Sequence, residues 1–259
     1  MRLDKYLTEK SYADSRTRAE KLIAAGDVIL DGKKITKPSF DVDENVEHTV
    51  EIQSAEKYVS RGGLKLEGAL DAFSVDVSGL DIIDVGASTG GFTDCLLKHG
   101  AKSVTALDSG HGQLHASIRE DERVRVIEGY NARNINTADV GIFDGAVMDV
   151  SFISQTLILP ALVSVIRKGG FYIGLIKPQF EAGRAALSKG GIVKSASDRE
   201  GAIIKVLECA RACNLRLLGL VRSPIEGGDG NIEYLAHFIK VDDASLDVID
   251  KQNIKQICK

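Results

Sequence analysis

The chain has 259 residues, 44% hydrophobic and 27% charged with only 4 prolines, which is material for one sizeable core plus a small extra domain. No apolar run approaches the roughly 18 residues needed to span a bilayer, and the start Met1-Arg2-Leu3-Asp4-Lys5 is too charged for a signal peptide. The 4 cysteines (Cys95, Cys209, Cys213, Cys258) form no CxxC pair and have no histidine at ligand spacing, so reduced thiols, no metal and a cytoplasmic location are expected.

Net charge is -4, but it is unevenly spread. Residues 1–37 hold nine Lys or Arg against six Asp or Glu, whereas residues 41–56 hold six acids and no Lys or Arg. Such runs are commonly solvated faces, so the asymmetry alone decides nothing.

In chain order, the first helix is predicted from Leu3, Tyr6 and Leu7 at i, i+3, i+4, with Arg2, Lys5 and Lys10 on the other face. A second helix is expected after the capping pair Asp14-Ser15, burying Ala19, Leu22 and Ile23 and stopping at Gly26. Two short strands flank Asp31-Gly32, a strong hairpin signal, and His48 to Ile52 reads as a returning strand. Residues 1–53 therefore form a small α+β domain, with Arg16, Arg18 and Lys21 on the outer face of its second helix.

The string RLDKYL…SRTRAEKLIAAGDVILDGKKITKPS resembles the S4 RNA-binding domain over most of residues 2–40. That resemblance implies a basic helix and hairpin lying on folded RNA, with Arg2, Lys5, Arg16, Arg18, Lys21, Lys33 and Lys34 as candidate contacts. Contacts of this kind go mainly to phosphate and shape.

Residues 54–63 are polar with a Gly pair and read as a linker. From 64 to 243, apolar strands alternate with helices. The expected strands are Asp81–Val85, Ser103–Leu107, Arg123–Ile127, Gly145–Val150, Phe171–Ile176, Leu215–Val221 and Glu233–Val241. Helices are expected at 91–99, along the Leu157–Ile166 stripe (kinked or begun by Pro160), and at 198–212. The fold class is α/β: a Rossmann-like, mostly parallel seven-stranded sheet with helices on both faces, followed by a C-terminal tail at 244–259.

The sharpest local feature is Asp84-Val85-Gly86-Ala87-Ser88-Thr89-Gly90-Gly91-Phe92, joining the first sheet strand to a helix. Asp108 ends the second strand, where an acid can hydrogen-bond a ribose diol. The spacing is not GxGxxG, and no Gly-Lys-Ser/Thr follows, so neither a dinucleotide site nor a P-loop is expected. An acid followed by GxxxG resembles motif I of the S-adenosylmethionine methyltransferases. The resemblance implies that Asp84, Gly86, Ala87, Ser88, Thr89, Gly90, Gly91, Phe92 and Asp108 hold this cofactor. Asn131, past the third strand, is an adenine candidate or a turn former.

After the fourth strand stands Met148-Asp149-Val150-Ser151-Phe152, without the Asn/Asp-Pro-Pro-aromatic string of base N-methyltransferases, and no cysteine is placed for carbon-5 chemistry. Instead Asp149 ends strand four, Lys177 ends strand five, Glu233 begins the last strand and Lys65 precedes the sheet. These resemble the Lys-Asp-Lys-Glu tetrad of the FtsJ-like ribose 2'-O-methyltransferases. The resemblance implies that Lys177 accepts the hydroxyl proton while Lys65 and Glu233 orient it, with Asp149 between the sulfonium centre and Lys177. A ribose hydroxyl is a very weak acid and needs such help.

With VSRGGLKLEGAL, DVGASTGGFTD, MDVSFIS, LIKPQFE and GNIEYL, nearly the whole chain resembles the bacterial TlyA family, also called hemolysin A. That implies 2'-O-methylation of cytidines in ribosomal RNA, either naked or in a subunit. A large-subunit target is expected, since the chain begins directly at the S4-like segment. A non-catalytic ribosome-assembly factor and a membrane-active hemolysin are the alternatives, the latter without a strongly amphipathic basic segment to support it. The Gly- and Lys-rich stretch 183–194 reads equally as a substrate loop or a solvated connection.

Overall fold

The computed structural model describes residues 1–13, 15–44, 46–52, 57–227 and 230–259. It divides into two units, one ending at residue 56 and one beginning at Lys57. In the first, α1 (Leu3–Glu9) and α2 (Arg16–Ala25) bury Leu3, Tyr6, Leu7, Ala19, Leu22 and Ile23 against each other. Ser15 Oγ accepts from Arg18 N at 3.3 Å and caps α2, while Asp14 lies outside the described residues. Gly26 ends α2 at φ 78°.

Strands β1 (Val28–Leu30), β2 (Lys33–Ile35) and β3 (Val50–Ile52) form an antiparallel sheet of order β2-β1-β3. The Asp31-Gly32 turn has φ of 50° and 74°, both positive as a tight hairpin requires. The returning strand starts at Val50, later than expected, because His48 is used otherwise. Its Nδ1 lies 2.6 Å from Asp31 Oδ2, pinning the turn from the side.

The second unit runs α3 (Gly62–Phe73), β4 (Asp81–Val85), α4 (Gly91–Lys98), β5 (Ser103–Leu107), α5 (Ala116–Arg119), β6 (Val124–Ile127), α6 (Thr137–Val140) and β7 (Phe143–Met148). It continues with α7 (Leu159–Leu162), β8 (Ile166–Ile176), α8 (Pro178–Glu181), α9 (Ala196–Ala212), β9 (Leu215–Arg222), β10 (Tyr234–Lys240) and α10 (Lys251–Ile257). The seven strands lie in the order β6-β5-β4-β7-β8-β10-β9, parallel except that β10 is antiparallel to both neighbours. Helices cover both faces, so the central strands are mostly buried, whereas the edge strands β6 and β9 carry exposed arginines. Alternate residues enter separate cores: Ile83, Met148 and Tyr172 on one face, Ile82, Val147 and Ile173 on the other.

Three expectations are corrected. The stripe Leu157–Ile166 is not one helix but two 3-10 turns around the single turn of α7, and Ile166 already begins β8. Pro160 lacks an N–H and is tolerated only in the first turn of a helix, so the apolar spacing fills the core without helical continuity. Of the expected linker 54–63, residues 54–56 lie outside the described residues, but Tyr58 is buried and Gly62 starts α3, so the second unit begins earlier. The expected tail 244–259 carries α10, whose Ile254 packs with Cys258 into the core.

Gly145 sits in β7 where a Cβ would meet the Phe171 ring at 2.1 Å. Gly145→Ala should cost about 1–3 kcal/mol and lower the calorimetric Tm by several degrees. An unchanged Tm would mean that the ring moves aside freely.

Candidate active site

All the parallel strands end on one edge of the sheet, and there the loop after β4 turns sharply. Gly86 has φ 83° and Gly90 φ 93°, the latter as N-cap of α4. A Cβ on Gly86 would stand 2.6 Å from the Asp149 carbonyl oxygen, so only glycine lets these two loops touch. The turn aims Ser88 N at Asp108 Oδ2 (2.9 Å), and Gly110 N donates to Oδ1 (2.7 Å). Asp108 is thereby fixed at the end of β5, facing the cleft it lines.

Two adjoining clefts follow this edge. One, with about 1040 Å³ of open space, is lined by Gly86, Ser88, Asp108, Asn131, Asp149 and Phe152. The other, about 710 Å³, is lined by Ala87, Thr89, Gly91, Phe92, Lys65 and Lys177, and shares Gly86, Ser88, Asp149 and Ser151 with the first. Asn131 borders the space, but its Oδ1 accepts from Arg133 N at 3.1 Å and caps a 3-10 turn, the turn-forming role.

Asp84 is wholly buried at the end of β4. Thr93 Oγ1 donates to its Oδ2 at 2.6 Å, while Oδ1 has no partner among the described residues. Burial first, then the negative charges of Asp149 and Asp108, pushes its pKa up to about 7. Three carboxylates thus crowd the ends of β4, β5 and β7.

The four charged residues expected at this edge form two ion pairs. Lys65, on α3, places Nζ 2.6 Å from Glu233 Oε2. Gln179 Nε2 donates to the other oxygen, Oε1, at 3.1 Å, so a carboxylate only 2% exposed has both oxygens occupied. Lys177 Nζ lies 2.6 Å from Asp149 Oδ1, close enough for ion pairing but not aligned as a hydrogen bond. It donates to Ser151 Oγ at 2.8 Å.

Sequence reasoning passed over Ser151, Gln179 and two aromatic rings. Phe152 is 93% exposed at φ 64°, a backbone region that bulky side chains avoid. Its ring centroid lies 5.2 Å from that of Phe180, over which Lys177 Nζ sits at 6.0 Å. A lone Phe inside an apolar string reads as core, so no signal marked it.

In the first unit, Arg2 and Arg16 converge on buried Asp4, with Arg2 Nη2 at 2.8 Å and Arg16 Nε at 3.0 Å from Oδ2. The Arg2 hydrogen bonds hold that carboxyl well below the usual range, with Arg16 adding to the effect. Two of the expected RNA contacts therefore also neutralise a buried acid. Lys5 pairs with Glu9 at 3.4 Å, Arg18 is half-buried, and Lys21, Lys33 and Lys34 are exposed. The sequence expectation for cysteine needs one correction: His99 stands one helical turn beyond Cys95, with Nδ1 3.6 Å from Sγ. No group of three or more His, Cys, Asp or Glu suited to a metal occurs among the described residues, and no helix among them is long and apolar enough to cross a membrane.

The strand order, the acid-and-glycine loop and the charged edge together define a Rossmann-like methyltransferase domain, and the chain carries a small S4-type unit as well. Residues 58–240 match the FtsJ-like methyltransferase family and residues 1–48 the S4 domain, and the chain belongs to the FtsJ-like methyltransferase family. Hemolysin A of Brachyspira hyodysenteriae is 45% identical over 92% of this chain and 100% of its own length. The 16S/23S rRNA (cytidine-2'-O)-methyltransferase TlyA of Mycobacterium tuberculosis is 42% identical over 90% of this chain and 87% of its own. A solved Streptococcus thermophilus structure bearing a hemolysin name aligns at TM-score 0.78 and 42% identity, covering 100% of this chain and 94% of its own.

Asp108 and Asp149 line the clefts and give them a negative charge that suits a cationic ligand such as S-adenosylmethionine, whereas Asp84, wholly buried, lines neither cleft. A carboxyl raised to about 7 in the folded state favours its protonated form, so its contribution to the fold is present below the unfolded value and is lost as pH climbs through the window between them. Asp84→Asn, which cannot ionise, should therefore flatten the fall of the calorimetric Tm across that window. An unchanged fall in the variant would contradict this assignment.

Proposed function

We propose that this chain transfers a methyl group from S-adenosylmethionine to the ribose 2'-hydroxyl of a cytidine in ribosomal RNA. The observation that carries the reading is the Lys177 amine, lining the cleft beside Ser151 and Asp149 with the Lys65–Glu233–Gln179 group on the same edge. Gly86, Ser88 and Asp108 would hold the cofactor, with buried Asp84 behind them, and the cofactor supplies an electrophilic methyl on a sulfonium. Ser151 and Asp149 hold Lys177 Nζ from two sides, so that its remaining side can face the 2'-hydroxyl. Lys177 would act as the base that takes the hydroxyl proton while the oxygen bonds to the methyl carbon and the methyl–sulfur bond breaks, leaving S-adenosylhomocysteine. Glu233, fixed on both oxygens, holds Lys65 in the cleft wall.

The exposed, strained Phe152 ring beside Phe180 suits a target base swung out of its stack, since every base has a face that an aromatic ring can cover. None of the cysteines lines either cleft, so a thiolate adduct to a base has no residue to form it. The S4 unit and the ribosomal RNA specificity in the name of the M. tuberculosis relative support ribosomal RNA as substrate, with residues 1–53 guiding the enzyme to it. Because that name covers RNA of both subunits, both are targets to try.

Lys177→Ala should lower kcat by at least about 10²-fold and leave the calorimetric Kd for S-adenosylmethionine within a small factor. A comparable loss of cofactor binding would place Lys177 in the cofactor site instead. Phe152→Ala, lacking a stacking surface worth about 1–3 kcal/mol per base, should reduce kcat/KM for RNA roughly ten- to a hundredfold. Unchanged RNA kinetics would rule out base contact by this ring.

A further inference from the structure

Between α8 and α9, residues 183–194 leave the sheet edge as a loop with three exposed cations, Arg184, Lys189 and Lys194. None of the three has a carboxylate partner within ion-pair distance among the described residues, although most charged residues at this end of the molecule are paired. The loop is nevertheless built, not slack. Asn231, only 1% exposed, accepts from Val193 N at 3.1 Å and donates to Gly191 O at 3.1 Å. Arg199, 6% exposed, donates to the carbonyls of Val193 (3.2 Å) and Lys194 (2.8 Å), to Cys258 O (2.6 Å) and to the Tyr234 hydroxyl (3.2 Å).

Burying a guanidinium against neutral acceptors alone is costly, so the fold invests two buried polar side chains in holding one short loop in place. It also adds a positive charge beneath the other three. Both ends of the loop are tied to catalytic elements: it follows α8, which begins just after Lys177, and its far end hangs on Asn231, two residues before Glu233.

We propose that the 183–194 loop is a phosphate-binding arm that grips the RNA backbone flanking the target nucleotide, an inference that rests on the RNA-methyltransferase reading above. Left-handed glycines at Gly183 (φ 81°) and Gly191 (φ 74°) set the bends that bring Arg184, Lys189 and Lys194 to the outside. The arm reads charge, not sequence. Its partner is a polyanion with regularly spaced phosphates, and its role is to hold the ribose against Lys177 while the S4 unit supplies a separate grip.

The test compares the full chain with an Arg184→Gln, Lys189→Gln, Lys194→Gln variant, measuring binding to protein-free ribosomal RNA across a salt series. The three contacts predict a plot of log affinity against log salt shallower by about 2–3 units, and affinity at 0.1 M salt at least tenfold weaker. The Kd for S-adenosylmethionine and the melting temperature should not move. The single variant Lys189→Gln, whose side chain bonds to neither Asn231 nor Arg199, keeps the test open if the triple variant melts early, and should reduce the slope by a little under one unit. An unchanged slope in both variants overturns the proposal. An unchanged slope with weaker binding to whole subunits overturns it in favour of a protein contact. Failure of the methyltransferase reading would appear separately, as absent methyl transfer by the unsubstituted chain, whatever the salt series gives.

Discussion

The close approach of two loops fixes the geometry of everything at this edge. Gly86 has no side chain because the Asp149 carbonyl occupies the place where one would be, and Asp149 N in turn donates to Val85 O at 3.0 Å. The loop that can cradle a cofactor and the acid that pairs with Lys177 are therefore neighbours through backbone, not through flexible side chains. Any residue but glycine would push them apart and misplace a reacting methyl by a distance that catalysis does not tolerate. The parallel strand order supplies the rest, bringing the ends of β4, β5, β7 and β8 to one line.

Charge is handled in two opposite ways there. Glu233 is buried and fully engaged by Lys65 and Gln179, so it is a rigid part of the wall. Asp84 is buried and half-engaged, with one oxygen left over and its ionisation moved close to neutrality. A group left in that state is a poor structural element, and it stands behind the clefts without lining either. The same contrast separates Asp4, clamped by two arginines in the first unit, from the uncompensated Arg199 that underlies the 183–194 loop.

Much of this was legible before any coordinates. The central strands of a doubly covered sheet are mostly apolar runs, and the four charged residues at strand ends or just before the sheet were legible through their resemblance to the FtsJ-like tetrad. The S4-like segment carries its helix cap and its Asp-Gly turn in plain view. What stayed hidden depends on neighbours distant in sequence. Ser151 and Gln179 are neutral and acquire meaning only through the charged atoms they touch, and Phe152 could not be told from a core residue. The apolar stripe around Pro160 satisfies a helical period while the backbone does otherwise, because a buried segment is apolar in any conformation. The burial of Tyr58 and of α10 likewise follows from surfaces the local sequence does not describe.

The central claim, that the Lys177 cluster activates a ribose hydroxyl, is tested most directly by the chemical position of the transferred methyl group. Isolated large and small ribosomal subunits would be incubated with the protein and methyl-labelled S-adenosylmethionine, and their RNA then hydrolysed with alkali. A 2'-O-methyl blocks cleavage of the adjoining phosphodiester, so the account predicts label in alkali-resistant dinucleotides with cytidine on the 5' side. Label recovered in mononucleotides would place the methyl on a base and contradict the assignment of the site.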